Sequence, residues 1–295
     1  MKYKIGIDLG GTKIEGIILD ANDEERFRHR IPTEADKGYE HIISNIESLY
    51  RKLLDEIDSA EHSFGIGTPG ALSHRTGLLK NSNTVCMNGQ PLKRDIEERI
   101  GREIQMMNDA NCFALAEAVS GAARGKNMVF GVIMGTGCGG GIVHGGKVWQ
   151  GLQLLGGEWG HMSIDPNGPL CYCGTRGCVE TFISGGGLER RYEEQFGEKR
   201  GLRDIEKDAD AGRQRDVEFM QTFYRNFGRA MANLINILDP DVVVLGGGVS
   251  NVQGLYTEGV RAVAERVFSD SLETPIVQNE LGDSAGVIGA ALIGI

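Results

Sequence analysis

Two short apolar runs joined by a glycine-rich turn open the chain, and this feature limits the possible folds most. Residues 4–8 and 13–20 are rich in β-branched side chains, and Gly10, Gly11 and Thr12 lie between them. Short β-branched runs bounded by turn residues are typical of strands, so the segment is predicted to form a β-hairpin. A turn without side chains also lets a ligand approach the backbone closely.

The same pattern returns near the middle of the chain. Residues 128–134 and 142–149 are predicted strands, and residues 135–141 between them form a second glycine-rich turn. A repeat on this scale indicates an internal duplication. We therefore expect an α/β fold in which two halves face each other across a cleft.

Helices and further strands are predicted between and after the hairpins. Apolar residues spaced three and four apart in residues 42–57 place one stripe on a helix, and residues 216–238 show the same spacing. Residues 242–245 are apolar on both faces, as in a central parallel strand, and run into three glycines. Ligands bind at the carboxyl ends of such strands. We also predict strands at residues 64–67 and 103–107 and helices at residues 92–100 and 112–123.

Composition and charge narrow the range of functions. The chain of 295 residues has a formal net charge of −10 and no block of lysines or arginines, so neither nucleic acid nor an anionic membrane is an expected partner. It has no run of about 18 apolar residues and no apolar signal-peptide core. We therefore expect a cytoplasmic protein, in which clustered cysteines indicate a metal site before a disulfide.

The two hairpin turns are candidates for phosphate binding. Backbone N–H groups in a glycine-rich turn can form a concave anion site without a helix terminus, and two such turns across a cleft suit a triphosphate. Tight hairpins with glycine at positive φ are the alternative for either turn alone. Asp8 ends the first strand, where a carboxylate near phosphates requires a cation, and Mg²⁺ is the natural bridge.

Two common nucleotide-binding motifs do not fit these turns. Gly135, Gly137 and Gly140 have the spacing of a dinucleotide-binding turn, but a strand rather than a helix is predicted after them. The turn at residues 10–13 lacks the first glycine of a P-loop and also opens a strand.

Four potential metal ligands lie close together in the sequence. They are His161, Cys171, Cys173 and Cys178. Three cysteines and one histidine form a tetrahedral zinc set, and four protein ligands leave no open position for catalysis. We expect a structural Zn²⁺ that fixes a glycine-rich loop; unligated thiols or a redox switch are the alternative.

Taken together, these motifs resemble those of the ROK family of sugar kinases and related repressors over essentially the whole chain. The resemblance covers Asp8-Leu9-Gly10-Gly11-Thr12-Lys13, Asn108-Asp109-Ala110-Asn111, Gly135-Thr136-Gly137, Gly157-Glu158-Trp159-Gly160-His161, the segment from Cys171 to Glu180, and residues 239–248. It implies the two-domain, actin-like (ribonuclease-H-like) ATPase fold with an interdomain cleft.

The resemblance also implies a division into domains. Residues 1–120 with 285–295 are expected to hold the first phosphate motif and the catalytic aspartate. Residues 121–284 are expected to hold the second phosphate motif, the zinc loop and the adenosine side. The final helix, near residues 286–293, is expected to pack on the first domain.

ATP and Mg²⁺ are the implied cofactors, beside structural Zn²⁺, and individual residues receive implied roles. Asp109 is expected to take the proton from the acceptor hydroxyl while Asn108 orients the sugar, although an aspartate between a strand and a helix is otherwise typical of a helix cap. The implied sugar contacts are Gly70, Asn83, Asn108, Asp109, Glu158, His161 and Glu180. The implied nucleotide contacts are Asp8, Gly10, Gly11, Thr12, Lys13, Gly135, Thr136, Gly137, Gly139, Gly246, Gly247 and Gly248.

The acceptor implied by the resemblance is a hexose, phosphorylated at its 6-hydroxyl. Residues 80–92 depart from the loop of many glucose-specific members and resemble bacterial fructokinases, so fructose is the first expectation. N-acetylglucosamine kinases share residues 108–116 almost as well, and N-acetylglucosamine, glucose or mannose is the alternative.

A sugar-sensing regulator without catalysis is an alternative of another class. Such family members carry an N-terminal helix-turn-helix segment, whereas the first phosphate strand here begins at residue 4. Family members commonly form dimers, so we expect a homodimer.

Overall fold

The computed structural model describes residues 2–294, which form two compact units. The first contains the residues up to Ala116, Val148–Gly156 and the residues from Asp283 onward; the second contains Glu117–Lys147 and Gly157–Gly282. The sequence analysis assigned residues 148–156 to the second domain, but they pack with the first unit. No helix among the described residues is long and apolar enough to span a membrane.

A five-stranded sheet forms the centre of the first unit. Its strands are β1 (Tyr3–Leu9), β2 (Lys13–Asp20), β3 (Glu25–Pro32) and β4 (His62–Thr68), followed after a small hairpin of β5 (Ala71–Leu72) and β6 (Leu79–Lys80) by β7 (Gln105–Asn108). The order is β3-β2-β1-β4-β7. The β1–β2 and β2–β3 pairs are antiparallel, and β4 is parallel to both β1 and β7. The carboxyl ends of β1, β4 and β7 therefore lie at one edge.

Three helices alternate with these strands along the chain. They are α1 (Tyr39–Asp55) before β4, α2 (Leu92–Ile100) before β7, and α3 (Asp109–Ser120) directly after β7. The predicted apolar stripe of α1 is buried against the sheet, and α2 ends at Gly101, which has φ 73°. A helix was predicted only from residue 112, but α3 begins at Asp109. The Asn108 side chain explains the early start, because its Oδ1 accepts a hydrogen bond from Ala110 N at 2.9 Å.

The second unit contains another five-stranded sheet. Its strands are β8 (Met128–Met134), β9 (Cys138–His144), β10 (Lys147–Val148), β11 (Val242–Gly246) and β12 (Ile276–Gln278), in the order β10-β9-β8-β11-β12. Every residue of β11 is buried, and β11 is parallel to β8 and β12, as the apolar run predicted.

The second glycine turn is shorter than the sequence suggested. Strand β9 starts at Cys138, so Gly139 and Gly140 belong to the strand and not to the turn. A Cβ at Gly140 would lie 2.7 Å from both the Phe130 ring and the Trp159 ring. Glycine at this position is thus required by packing.

Five helices cover the second sheet: α4 (Val179–Ile183), α5 (Gly185–Phe196), α6 (Leu202–Asp210), α7 (Gln214–Leu238) and α8 (Glu258–Ala264). The stripe predicted for the long helix forms one side of the core, with Phe223 and Phe227 fully buried. Of these five helices only α7 was predicted from the sequence; α4, α5, α6 and α8 were not. Ser184 begins α5 by accepting a hydrogen bond from Gly187 N at 3.0 Å.

The last helix, α9 (Ala285–Leu292), packs against β1 and β4 of the first unit, as expected from the resemblance. Close contact is possible because the facing strand residues are glycines. A Cβ at Gly6 would lie 2.5 Å from the carbonyl oxygen of Val287, and one at Gly65 would overlap the carbonyl oxygen of Ala290.

The two sheets repeat one arrangement. In each, a strand at the centre pairs antiparallel with the next strand in sequence and parallel with a later one. The duplication predicted from the two glycine turns is therefore present in the strand order.

Candidate functional site

Four of the predicted site residues of the first unit lie at the carboxyl edge of its sheet. Asp8 at the end of β1 pairs with Gly67 of β4, and Asn108 at the end of β7 pairs with Thr68. The Asn108 side-chain amide donates a hydrogen bond to the carbonyl oxygen of Gly70 at 2.9 Å. Asp109 follows directly, at the first position of α3. Parallel strands thus bring together residues that are distant in sequence.

Beside them, the first glycine turn is held in place by hydrogen bonds. Gly10 N donates to the Lys13 carbonyl at 2.9 Å, and the Thr33 hydroxyl donates to the Gly10 carbonyl at 2.6 Å. The N–H of Gly10 is therefore not available to a ligand, contrary to the expectation of a row of unpaired amides. Gly11 and Thr12 are exposed and, with Asn83, line a cavity of about 490 Å³.

Asp8 is surrounded by small residues and by negative charge. Its carboxylate packs so closely on the last helix that a Cβ at Gly286 would lie 3.0 Å from Oδ2. Burial, followed by the charges of Asp109 and Glu15, raises the pKa of Asp8 to about 7. The Cys112 thiol and the Asp8 carboxyl both lie close to Gly67. Burial, followed by the charges of Asp8 and Asp109, raises the pKa of this thiol.

A row of charged residues crosses the sheet from Asp8. Glu15 on β2 is directly opposite Asp8, and Arg30 on β3 is directly opposite Glu15. Glu15 is 1% exposed and accepts a hydrogen bond from Arg30 Nη2 at 2.8 Å; Arg28 Nη1 and Lys13 Nζ lie 3.4 and 3.7 Å from its oxygens. Neither Glu15 nor Arg30 was identified from the sequence. Pairing the predicted hairpin outward from its turn would have placed Glu15 beside Asp8.

In the second unit, the second glycine turn contacts two other segments. Gly135 N bonds to the Gly137 carbonyl at 2.9 Å, and Gly185 N at the start of α5 bonds to the Gly135 carbonyl at 2.8 Å. Glu180 Oε2 accepts a hydrogen bond from Cys138 N at 2.9 Å. A hydrogen bond thus joins Glu180, a predicted sugar contact, to the end of the phosphate turn.

The third set of glycines lies beside this turn. Gly246 pairs with Ile133 near the end of β8, and a Cβ at Gly247 would lie 2.5 Å from the Met134 carbonyl oxygen. Gly247 has φ 78°, a conformation that favours glycine. Gly246 and Gly247 thus lie beside the last residues of β8, directly before the turn at Gly135, and Gly248 begins the next 3-10 helix. Gly185 and Gly186 approach Gly135 and Thr136 of the turn and were not identified from the sequence.

The segment with Glu158 and His161 lies along β9. Trp159–His161 is a 3-10 helix, and the Trp159 indole N–H donates to the Gly139 carbonyl at 3.3 Å. Gly139 was predicted to contact the nucleotide from a turn, but in the structure it is a strand residue that accepts this bond.

The cysteine and histidine side chains form a compact cluster. The ligand atoms of His161, Cys171, Cys173 and Cys178 all lie within 4.8 Å of one another. His161 Nδ1 is 3.7 Å from Cys171 Sγ, and Cys173 Sγ is 3.6 Å from Cys178 Sγ. Ligand atoms about 2.0–2.3 Å from a tetrahedral zinc have separations of about this size. The four residues therefore fit a zinc ion.

Comparisons with known proteins show which family the chain resembles. The ROK family model matches residues 4–294. An N-acetyl-D-glucosamine kinase of Vibrio atlanticus (strain LGP32) is 37% identical over 300 residues, covering 98% of this chain and 99% of that protein. The crystal structure of a ROK hexokinase from Thermus thermophilus has a TM-score of 0.90 at 34% identity, covering 99% and 97% of the two chains. A ROK family glucokinase from Streptomyces griseus, in complex with glucose and AMPPNP, has a TM-score of 0.78 at 26% identity, with 99% of each chain covered.

Fold and relatives together define a sugar kinase with the actin-like ATPase fold. Its substrates are a small sugar and a nucleotide. The chain belongs to the ROK family, and the family, fold and enzyme class predicted from the sequence are thereby confirmed.

The raised pKa of Asp8 predicts a pH effect on stability. Between its ordinary value of 3.8 and about 7 the folded chain keeps a proton that the unfolded chain releases, so this group's contribution to stability falls as pH rises through that range. Asp8→Asn cannot ionise and should be about 4 kcal/mol more stable than wild type at pH 8, with a smaller difference of about 1 kcal/mol at pH 4.5. Urea unfolding without added Mg²⁺ measures both, and exposed Asp55→Asn is the control. Equal stability of Asp8→Asn and wild type at pH 8 would contradict the assignment.

Proposed function

We propose that the chain transfers the γ-phosphoryl group of ATP to the 6-hydroxyl of a hexose. The observation that carries this proposal is the position of Asp8 and Asp109, close enough to raise the pKa of Asp8, at the carboxyl edge of the first sheet. The turn at Gly10, Gly11 and Thr12 follows β1 at the same edge. A sugar sensor would not need this pair of carboxylates beside a phosphate turn, so catalysis is the better supported function.

Asp109 acts as the general base in this proposal. It takes the proton of the attacking hydroxyl while Asn108, fixed by its bond to the Gly70 carbonyl, orients the sugar. Phosphoryl transfer requires little covalent chemistry from a protein, so most of the acceleration comes from aligning the hydroxyl with the γ-phosphate and from stabilising charge. The base adds about 10²–10⁴-fold.

Asp8 is the proposed residue for holding Mg²⁺. Its surroundings fit a cation, because Asp109 and Glu15 add negative charge and the carboxyl is poorly solvated. When bound, the ion would neutralise phosphate charge. In the first unit, Lys13 and the exposed backbone of Gly11 and Thr12 are the proposed phosphate contacts. In the second unit, the exposed backbone of Thr136 and Gly137 is proposed for the same role.

Two hexoses are candidates for the acceptor. The curated relatives are N-acetylglucosamine kinases, so they favour that sugar over fructose, which the sequence analysis placed first. The resemblance of residues 80–92 to fructokinases supports fructose as the second candidate. Glu158, His161, Glu180 and Asn83 are the proposed sugar contacts. The two glutamates suit this role because ionised carboxylates accept strong hydrogen bonds from hydroxyl groups.

Structural zinc in the cluster of three cysteines and His161 is also part of the proposal. Its role is to fix the loop between His161 and Cys178, which leads into Glu180 on α4. The expected homodimer stays a prediction.

Asp109→Asn is expected to lower kcat about 10²–10⁴-fold while the dissociation constant for the sugar changes little, because the amide still fills the same space. Coupled ADP release gives kcat, and isothermal titration calorimetry gives sugar binding. Asp55→Asn, an exposed aspartate at the end of α1, should match wild type in both. A kcat within tenfold of the wild-type value would show that Asp109 is not the general base.

ATP consumption is expected with N-acetylglucosamine or fructose, and the product should be phosphorylated at O6. Testing fructose, mannose, glucose, N-acetylglucosamine and N-acetylmannosamine with the same assay, followed by ³¹P NMR of the product, checks the sugar and the position. Sugar binding without phosphorylation of any member of this panel would support the sensor instead.

About one zinc per chain is expected in protein purified under reducing conditions. Cys178→Ser removes a buried ligand, so it should lose the metal and melt several degrees lower, because zinc binding free energy stabilises the fold. Cys86→Ser, outside the cluster, is the control and should keep the zinc. If mass spectrometry shows that the wild-type protein carries no metal, the zinc proposal is wrong and the cysteines of the cluster are unligated thiols.

A further inference from the structure

Tyr172 is the large side chain on the cysteine loop that the proposed function does not use. It lies between Cys171 and Cys173 and is 76% exposed. Exposed tyrosines usually extend into solvent, but the Tyr172 hydroxyl lies 3.1 Å from His161 Nε2. Its ring meets the imidazole edge to face, with centroids 5.2 Å apart and planes at 88°. The ring is therefore held over His161 by two contacts.

These contacts are on the side of His161 that is left for a ligand. Nδ1 faces Cys171 Sγ at 3.7 Å, so Nδ1 belongs to the metal cluster. An imidazole that uses Nδ1 as a ligand carries its proton on Nε2. The Nε2 proton is thus paired with the Tyr172 hydroxyl at 3.1 Å, so a sugar oxygen that binds His161 must share or displace this hydrogen bond.

The two glutamates of the proposed sugar site act on Tyr172 through their charge. Burial, followed by the charges of Glu180, Cys171 and Glu158, raises the pKa of the Tyr172 phenol. The direct contacts of Tyr172 are with His161. A sugar bound at His161 Nε2 would meet the Tyr172 ring, because the ring already lies against that side of the imidazole.

We propose that Tyr172 is a specificity-determining residue of the sugar site, whose ring beside His161 Nε2 limits the size of the sugar substituent accepted there. The inference rests on the proposed function and names the acceptor class more closely. It favours a hexose without an acetamido group, such as fructose, over N-acetylglucosamine. It involves no chemistry at the ring, only the volume of the ring and its two contacts with His161.

Tyr172→Gly tests this directly. Removing the ring should raise the ratio of kcat/KM for N-acetylglucosamine to kcat/KM for fructose at least tenfold over wild type, and the KM for ATP should stay unchanged. Tyr172→Phe keeps the ring and should keep the ratio within threefold. Leu170→Gly, which removes another exposed side chain from the same loop, is the matched control and should leave the ratio unchanged.

Zinc content, measured for each variant, separates a sugar-site role from a structural one. The proposal requires that Tyr172→Gly keep its zinc while the ratio changes. A ratio within threefold of wild type, or one that changes only together with loss of zinc, would overturn it. A ratio in Tyr172→Phe altered as strongly as in Tyr172→Gly would also contradict a role based on ring volume.

The outcome is distinguishable from failure of the proposed function. If wild-type protein phosphorylates no sugar of the panel, the kinase proposal fails, and the Tyr172 proposal is then read from sugar dissociation constants measured without ATP. The same tenfold change in the ratio of the two constants is expected from Tyr172→Gly, and an unchanged ratio overturns it.

Discussion

The arrangement of the first sheet depends on two carboxyl groups that have little access to water. Asp8 and Glu15 occupy directly opposite positions on β1 and β2, and like charges in that relation destabilise a sheet. Arg30 from β3 and Lys13 from β2 offset the charge of Glu15, and Arg28 links Glu15 to Ser284 ahead of α9. These cations lie nearer to Glu15 than to Asp8. The three cations thus offset the charge of Glu15, and the Asp8 carboxylate is left as the natural ligand for a bound cation.

In the second unit, the proposed nucleotide and sugar contacts depend on the same strand. β9 starts where the glycine turn ends, and its Cys138 N–H is bonded to Glu180. One residue further along, the Gly139 carbonyl accepts the Trp159 indole N–H. Because Gly140 has no side chain, the segment before Glu158 lies directly on the strand. A displacement of the phosphate turn would therefore move the segments that carry Glu158 and Glu180, because no layer of side chains lies between them and β9.

The sequence predicted the parts of this structure that depend on local pattern. Both hairpins, the buried strand β11 and the stripes on α1 and α7 follow from period and turn chemistry, and motif resemblance gave the family, fold and enzyme class. The start of α3 at Asp109 was missed because it depends on the bond from Ala110 N to Asn108 Oδ1. The length of the second turn was wrong because Gly139 and Gly140 serve packing in β9, which no local signal distinguishes from a turn.

The contacts missed from the sequence are mostly between segments distant in the chain. The approach of Gly185 to Gly135 and the contact of Gly286 with Asp8 depend on tertiary packing, and one sequence carries no signal for them. Glu15 could have been found, since the hairpin register follows from its turn. The association of His161 with the three cysteines follows from spacing, but the position of Tyr172 over the imidazole depends on side-chain conformation.

The packing of α9 on β1 and β4 has a consequence for synthesis. The residues of this helix are translated after the whole of the second unit, yet their backbone fills the surface where Gly6 and Gly65 have no side chains. The glycine-lined face of β1 and β4 therefore stays uncovered until residues 285–292 have been made. The sheet that is synthesised first is thus covered by one of the segments synthesised last.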